Sequence, residues 1–505
     1  MNLTDTVRRV SSSDRSSIQG RAYYAVYGLV LAVSVSLWFT AIRYPLGLDE
    51  TGSYRQISSG FSEIWSRQNI TFPAYSYILW LSAKILGTSE VALRIPSVLA
   101  MLGAVYLLYL AARELFEPDI AIIASILFCL HPIVIFESID VRPYAFAALA
   151  TNAAILILVR LRRNNSNWLA LLLGLSAACI VWFQYLFTAI VPAIVLCLFV
   201  VKNGDRKALW RQAGVALAAF VLAFLPVIPG LHYLFSTARA HVFELAPRLG
   251  DLLWTLAPGF LPLIFGMTAL IAAVIARSDQ QIHFQRWQVL LCASLALIPI
   301  LILYGVSVGT SIHMFTPRHR LVAIPGIALC WALILSPFRS RAVRLLFCVA
   351  FVSITAYPYY NSPLLRGHSY TWKYALEAAE KSASADNAPV LICSDYPESD
   401  YEAMPLDSAK DSPLFAQLSY YKLSVPVVPL PRALNDEAVR VGSRFLQDAA
   451  RKHERFLAVA VKPSYGTLNW LTQSAAATYS VSNMGEFDNI AVLEFVPRSV
   501  VAASR

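Results

Sequence analysis

The chain has 505 residues, of which 57% are hydrophobic and only 14% are charged. A soluble globular protein has about 45–50% apolar and about 25% charged residues, so this chain cannot cover itself with a charged surface. Most of its length must lie in lipid, where backbone polar groups have no other partners, so the spans are predicted to be helices. The net charge of +10 resides in short loops between apolar runs, which indicates membrane topology and excludes a nucleic-acid partner.

The N-terminus does not have the pattern of a cleaved signal peptide. Residues 1–20 are polar and contain Arg8, Arg9 and Arg15, and the apolar run 22–41 ends without a small-residue cleavage site. We expect this run to be a signal-anchor helix with its N-terminus in the cytoplasm.

The predicted spans follow from the apolar runs and the loop charges. If the run at 73–87 does not cross the membrane, every cluster of basic residues between the other runs falls on the cytoplasmic side. That run is short, begins at Pro73 and contains Lys84, so it is predicted to be a juxtamembrane or re-entrant helix. About eleven transmembrane helices remain, from the runs 22–41, 92–111, 119–135, 143–160, 167–182, 184–201, 212–234, 257–276, 288–308, 320–337 and 342–359.

The composition becomes mixed and polar near residue 361. Strand-like runs at 389–393, 456–461 and 490–496 alternate with helical patterns at 371–383 and 433–452, which predicts a small α/β domain. On the topology above this domain lies outside the cytoplasm. The predicted organisation is a polytopic α-helical membrane domain (1–360) with a long first external loop (42–91), followed by an extracytoplasmic α/β domain (361–505).

The predicted outer face collects unusual polar residues, among them arginines that do not follow the positive-inside trend. A bound anion at the outer leaflet, such as a lipid phosphate, would explain the arginines, because guanidinium groups match phosphate oxygens. Asp49 and Glu50 directly follow the first helix, where a carboxylate could remove the proton of an acceptor hydroxyl. The other members are Glu137, Asp140, Arg142, Tyr144, His313, Arg318, His319 and Arg320.

Each of these motifs also has a plainer interpretation. An acidic pair after a helix is often only a solvated loop, and Arg142-Pro143 could simply begin a helix. Arg318 and Arg320 could be interfacial anchors whose charged ends reach the water. The argument for a site rests on their shared position on one face.

Four stretches give the sequence a recognisable resemblance. They are Gly47-Leu48-Asp49-Glu50; Phe72-Pro73-Ala74-Tyr75 with the later Arg94-Ile95-Pro96-Ser97; Ser138-Ile139-Asp140-Val141-Arg142-Pro143-Tyr144-Ala145; and Pro317-Arg318-His319-Arg320. In order and spacing they resemble bacterial GT-C glycosyltransferases related to protein O-mannosyltransferases and lipid A aminoarabinose transferases. The likeness is greatest to the rhizobial core galacturonosyltransferase group. The chain departs from the family pattern at Phe72, Ala74, Asp140 and Gln184.

This resemblance implies an inverting transferase on the outer face of the bacterial inner membrane. It would move a sugar from a polyprenyl-phosphate donor to a glycolipid, cell-envelope glycan or protein. Asp49 and Glu50 are then the catalytic candidates, and Arg94, Arg142, Arg318 and Arg320 are candidates for the donor phosphate. The remaining substrate-binding candidates are Tyr75, Glu137, Asp140, Tyr144, Tyr185 and His319.

No cofactor beyond the lipid-linked donor is expected, and no metal, because the sequence has no Cys/His metal spacing. Two other functions remain open. A polyprenyl-lipid transporter or flippase would place ionisable residues near the middle of the membrane, whereas here they cluster at helix ends. A non-catalytic accessory protein that only binds polyprenyl phosphate is the third hypothesis.

Overall fold

The computed structural model describes residues 22–66, 73–200, 206–237, 246–258, 264, 266–267, 285–338, 340–361, 372–400, 404, 409 and 412–498. Up to residue 361 the described elements are helical. In chain order they are α1 Ala22–Ala41, α2 Leu48–Ser58, α3 Phe61–Ser66, α4 Pro73–Leu86, α5 Glu90–Leu115, α6 Pro118–Cys129, α7 Pro132–Glu137, α8 Tyr144–Arg163, α9 Asn167–Phe183, α10 Val191–Val200, α11 Arg206–Phe224, α12 Ile228–Thr237, α13 Leu249–Leu256, α14 Arg286–Gly309, α15 Pro317–Leu335 and α16 Arg341–Asn361.

Six helices of the described residues are long and apolar enough to cross a membrane. They are Ala22–Ala41, Glu90–Leu115, Tyr144–Arg163, Arg206–His232, Arg286–Gly309 and Pro317–Leu335, and shorter apolar helices lie at Pro118–Cys129, Asn167–Phe183 and Tyr185–Phe199. The chain is therefore a multi-pass membrane protein. The total of about eleven spans stays a prediction, because most of the predicted run at 257–276 lies outside the described residues.

Helix α4 occupies the run that we predicted not to cross the membrane. It has 14 residues, or about 21 Å of helix, which is shorter than the roughly 30 Å of a bilayer core. It contacts α2, α3, α5 and α9. Tyr75 and Leu79 of α4 join Leu46, Leu93 and Val141 in a small apolar cluster beneath α2.

Local sequence signals set the helix ends that matter for the outer face. The Ser89 hydroxyl accepts from the Ala92 N–H and begins α5, while Pro118 and Pro132 occupy the first turns of α6 and α7. Close packing fixes α15 against α14: a Cβ added at Gly326 would lie 2.4 Å from the Leu295 carbonyl carbon.

The C-terminal region is a five-stranded sheet with helices on both faces, as the alternating pattern predicted. The strand order is β2-β1-β3-β5-β4; β1 runs parallel to β2 and β3, and β5 runs antiparallel to β3 and β4. Separate apolar clusters lie on the two faces. The elements are α17 Trp372–Ala383, β1 Val390–Cys393, α18 Ala416–Tyr420, β2 Val427–Leu430, α19 Asp436–Lys452, β3 Phe456–Val461, α20 Tyr465–Ala475, β4 Tyr479–Phe487 and β5 Ile490–Pro497.

The sheet region packs onto the helical region, on the side where α5 begins. Helix α18 lies against α2, and Tyr420 and Tyr54 meet edge to face with ring centroids 4.9 Å apart. Lys373 forms an ion pair with Glu90 at 2.9 Å, at the first residue of α5. These contacts place the carboxyl ends of the parallel strands next to the first turn of α2. The predicted division at residue 361 stays a prediction, since 362–371 lies outside the described residues.

Candidate active site

Asp49 and Glu50 are neighbours in the sequence but face different surroundings. Both lie in the first turn of α2, and consecutive helical residues point about 100° apart. Glu50 is 1% exposed, whereas the side chain of Asp49 is 44% exposed. The Asp49 side chain is therefore accessible, whereas Glu50 lies in the protein interior; the surface formed by Asp49, Arg142 and Arg318 is called the crevice below.

The Glu50 carboxylate is saturated with hydrogen bonds. One oxygen accepts from Arg94 Nε at 3.0 Å and from the Val141 N–H at 3.1 Å. The other accepts from Arg94 Nη2 at 2.7 Å and from the Gly47 N–H at 2.8 Å. With four donors on two oxygens, Glu50 has no lone-pair direction left for a substrate proton.

Arg94 is equally saturated. Its five N–H groups reach both Glu50 oxygens and the carbonyls of Ile42 at 3.0 Å, Tyr44 at 2.6 Å and Pro45 at 3.2 Å. The side chain is fully buried. No donor of Arg94 remains for a phosphate, so the geometry does not support the phosphate role that we predicted for it, nor the catalytic role of Glu50. The pair instead fixes the turn before Asp49 and the backbone beside Arg142.

Asp49 meets two arginines in the crevice. Arg318 Nη1 of α15 donates to Asp49 Oδ2, and Arg142 Nη1 donates to the Asp49 carbonyl at 3.5 Å. Burial by itself would raise the pKa of Asp49, but the charges of Arg142 and Arg318 outweigh it and lower the pKa to about 2. The carboxylate is therefore ionised at neutral pH.

Arg142 differs from Arg94 in having donors to spare. Its Nε is buried and has no hydrogen-bond partner in the part of the chain that the structure describes. Buried polar groups without partners are rare in folded proteins and call for an explanation such as a ligand. Arg142 and Arg318 together form the positively charged side of the crevice.

Two buried carboxyl groups complete this wall. Glu137 is 3% exposed at the end of α7, and its Oε2 has no partner among the described residues. Burial, and then the neighbouring Asp140, raise the pKa of Glu137 well above its ordinary value. Burial, and then the charge of Glu50, raise the pKa of Asp140 to about 8. Asp140 is therefore mainly protonated at neutral pH, and Asp49, Arg142 and Arg318 among themselves carry one net positive charge.

Arg320 lies away from this crevice. Residues 318 and 320 are two positions apart on a helix and so point to nearly opposite sides. Arg320 is buried and donates to the Asp251 carbonyl at 3.0 Å and to Thr255 Oγ1 at 2.7 Å, and its guanidinium lies 5.0 Å from the Phe315 ring centre. These contacts tie α15 to α13, so the structure does not bring Arg320 to Asp49 as predicted.

The predicted aromatic and histidine residues surround the crevice. The buried Tyr144 ring lies 6.3 Å from the His319 ring, and His319 Nδ1 is 2.9 Å from the Met314 carbonyl. Tyr185 begins a turn within electrostatic range of Arg142 and Arg318. Tyr75 is buried edge to face against Phe146, at 5.8 Å, beneath the same wall.

Sequence reasoning missed the residues that come from the C-terminal sheet. Tyr396 follows β1, and its hydroxyl donates to the Leu48 carbonyl at 3.2 Å, beside Asp49. Tyr421 follows α18, and its hydroxyl accepts from the Leu46 N–H at 2.6 Å. The predicted strands were a partial indication of these residues, because ligand sites in open α/β sheets lie beyond the carboxyl ends of parallel strands.

No group of three or more His, Cys, Asp or Glu among the described residues could hold a metal ion, and metal independence stays a prediction.

The comparisons with known proteins match one segment of the sequence and most of the structure. Residues 71–233 match the family model described as dolichyl-phosphate-mannose-protein mannosyltransferase. No curated protein matches the chain. Two solved structures of ArnT from Cupriavidus metallidurans are similar over most of their length. The apo form has 15% identity and a TM-score of 0.54, covering 94% of this chain and 98% of ArnT. The form bound to undecaprenyl phosphate has 13% identity and a TM-score of 0.55, covering 92% and 97%.

The chain is thus a multi-pass membrane protein with a sheet region packed against its helices. Its fold is similar to that of ArnT, as the resemblance carried by the four sequence stretches predicted. The nearer likeness to the rhizobial group stays a prediction.

Proposed function

We propose that this protein is an inverting glycosyltransferase that uses a polyprenyl-phosphate sugar as donor. The observation that carries the proposal is the crevice in which one exposed carboxylate, Asp49, lies between two arginines with capacity to bind an anion. The fold supports it, and so does the structure of ArnT, which binds undecaprenyl phosphate. The reaction would take place on the outer face of the bacterial inner membrane, with the N-terminus in the cytoplasm. The acceptor would be a glycolipid, an envelope glycan or a protein.

The geometry assigns a role to each charged group. The acceptor hydroxyl oxygen attacks the anomeric carbon of the donor, and its proton passes to the Asp49 carboxylate. The bond between that carbon and the phosphate oxygen breaks on the opposite side, which inverts the configuration. The phosphate leaves with the electron pair and gains a negative charge, which Arg142 and Arg318 stabilise. No general acid is needed, because phosphate is a good leaving group.

The ion pair between Asp49 and Arg318 couples the base to the donor. In the structure Arg142 and Arg318 keep the pKa of Asp49 low, which makes the carboxylate a weak base. A donor phosphate that takes hydrogen bonds from Arg318 would weaken this pair and raise the pKa of Asp49. The base would then be strongest when the donor is in place. Asp140, which is protonated at neutral pH, can donate a hydrogen bond to a sugar hydroxyl.

Loss of either crevice arginine should affect the donor more than the acceptor. Each charge-assisted hydrogen bond contributes about 1.5–3 kcal/mol, so Arg142→Ala or Arg318→Ala should raise the donor KM roughly 10- to 100-fold. The acceptor KM should change little. The measurement is initial-rate kinetics in proteoliposomes with a synthetic polyprenyl-phosphate sugar, varying one substrate at a time. Arg440→Ala, which removes an exposed arginine from α19, is the control. Equal effects on both substrates would count against phosphate binding.

Donor binding should also weaken at alkaline pH. The pKa of Asp140 is raised to about 8, so this group is neutral below pH 8 and becomes negative above it. An added negative charge beside Arg142 opposes an anionic donor, so the donor KM should rise several-fold between pH 7 and pH 9. Asp140→Asn, which cannot ionise, should flatten this rise. A KM profile that is identical in wild type and Asp140→Asn would show that Asp140 does not titrate in this range.

A further inference from the structure

We propose that the C-terminal sheet region positions the catalytic base, through the hydroxyls of Tyr396 and Tyr421. This inference rests on the proposed role of Asp49. The two tyrosines bond the backbone on either side of the turn that presents Asp49: Tyr421 accepts from the Leu46 N–H at 2.6 Å, and Tyr396 donates to the Leu48 carbonyl at 3.2 Å. They are positioning residues, because they act on the α2 backbone and not on the substrate.

The two contacts reach this segment from the side opposite to Arg94 and Glu50. Leu46 is fully buried, so its N–H has no access to water and depends on Tyr421. Leu48 is the first residue of α2, and its carbonyl accepts from Thr51 Oγ1 at 2.7 Å as well as from Tyr396. Behind them Glu50 binds the Gly47 N–H. The turn 46–50 is therefore held from the membrane side by Arg94 and Glu50, and from the outer side by the two tyrosines.

The sequence of α2 is adapted to this approach. A Cβ added at Gly52 would lie 3.1 Å from the Tyr396 hydroxyl, tighter than an ordinary van der Waals contact. A glycine at this position of a helix is costly by itself, by roughly 1 kcal/mol relative to alanine. The close approach of the Tyr396 hydroxyl explains why a glycine occupies this position. Tyr420 adds a second contact from the same region, with its hydroxyl bonded to the Thr88 carbonyl at 2.8 Å.

The arrangement has a consequence for catalysis. Asp49 faces Arg318 and Arg142 only while the first turn of α2 keeps its orientation, and misplacement by about 1 Å can cost on the order of 100-fold in rate. The C-terminal region is then part of the active site, although none of its residues needs to touch the reacting atoms.

The test is the full-length double variant Tyr396→Phe/Tyr421→Phe, which keeps both rings and removes both hydroxyls. The matched control is Tyr479→Phe, because the Tyr479 hydroxyl also bonds a backbone carbonyl at 3.2 Å, that of Glu454, within the same sheet region. Hydrogen exchange in nanodiscs should show faster exchange of the α2 amides in the double variant, by roughly tenfold or more, with the sheet strands unchanged. The control should leave α2 as in wild type. Unchanged exchange of α2 in the double variant would overturn the proposal.

Kinetics give a second readout. In the double variant kcat should fall roughly 10- to 100-fold, with full donor-binding stoichiometry. As Asp49 loosens from its arginines its pKa should rise from about 2 towards the ordinary value near 4, so the ratio of kcat/KM at pH 4 to that at pH 7.5 should fall roughly twofold. A mere loss of folded protein would not change this ratio.

The ionisable groups near Asp49 on the packed elements are Glu137, Asp140, Arg142, Tyr144, Arg318, His319, Asp395 and Tyr396.

The two proposals fail in different ways. If wild type consumes no lipid-linked donor, the proposed function fails, and hydrogen exchange of α2 still decides whether the tyrosines hold the turn. If wild type is active and the double variant matches it in rate, pH ratio and exchange, the positioning role is wrong while the transferase stands.

Discussion

Asp49→Asn should abolish turnover while the protein still folds, inserts and binds its donor. Asparagine has the same shape but cannot accept the acceptor proton, and loss of a general base costs roughly 10²- to 10⁴-fold in kcat. Donor affinity should hold or increase, because Arg318 loses the carboxylate with which it pairs in the structure. The variant therefore separates catalysis from binding: kcat should fall and donor KM should not rise.

The measurement is donor consumption in proteoliposomes with a panel of synthetic polyprenyl-phosphate sugars, run beside a binding assay with polyprenyl phosphate. Asp448→Asn is the control, since Asp448 is an exposed aspartate on α19 whose partner Arg451 is one turn away at 3.7 Å. A purified Asp49→Asn protein with wild-type turnover would show that another group is the base. Wild-type protein that binds the lipid but consumes no donor would favour a flippase or an accessory protein.

Much of the fold could be predicted because its signals are local or compositional. Apolar runs, loop charges and a short Pro-initiated segment were enough to separate α4 from the long helices. The strands at 390–393 and 456–461 and the helix α19 were also predicted within a few residues. Both edge strands of the sheet, β2 and β4, were missed for physical reasons. Strand β2 contains Pro429, which is tolerated only at sheet edges, and β4 is polar and irregular between Asn483 and Gly485.

The site was harder to predict because its residues are joined only in three dimensions. Sequence spacing indicated that Asp49, Arg142 and Arg318 share a face, and the structure brings them together. Spacing could not show which arginines keep donors available for a ligand, since that depends on contacts with backbone carbonyls such as those of Ile42 and Tyr44. Arg94 and Arg142 look alike in the sequence and differ only in what surrounds them. Tyr396 and Tyr421 could not be placed without knowing where the sheet region docks.

We expect Arg94 to stabilise the fold and not to bind the donor. Removing one partner of a buried ion pair costs about 3–5 kcal/mol, because the other charge stays buried and unpaired. Arg94→Gln should therefore give a protein that unfolds in detergent at a much lower temperature than wild type or does not accumulate. Arg94→Lys should rescue little, because a single ammonium cannot reach both Glu50 oxygens and three carbonyls.

A double variant separates structural loss from loss of phosphate binding. Glu50→Gln/Arg94→Gln removes both charges, so it should be more stable than Arg94→Gln alone, and the coupling can be measured by a double-mutant cycle. If the ion pair of Glu50 and Arg94 only fixes the turn 42–47, the folded fraction of the Arg94→Lys protein should bind polyprenyl phosphate with wild-type affinity. An Arg94→Lys protein as stable as wild type but with a donor KM raised tenfold would show that Arg94 binds the donor phosphate. The five donors of Arg94 already bonded within the protein argue for the first outcome, because a guanidinium has no sixth N–H to offer a ligand.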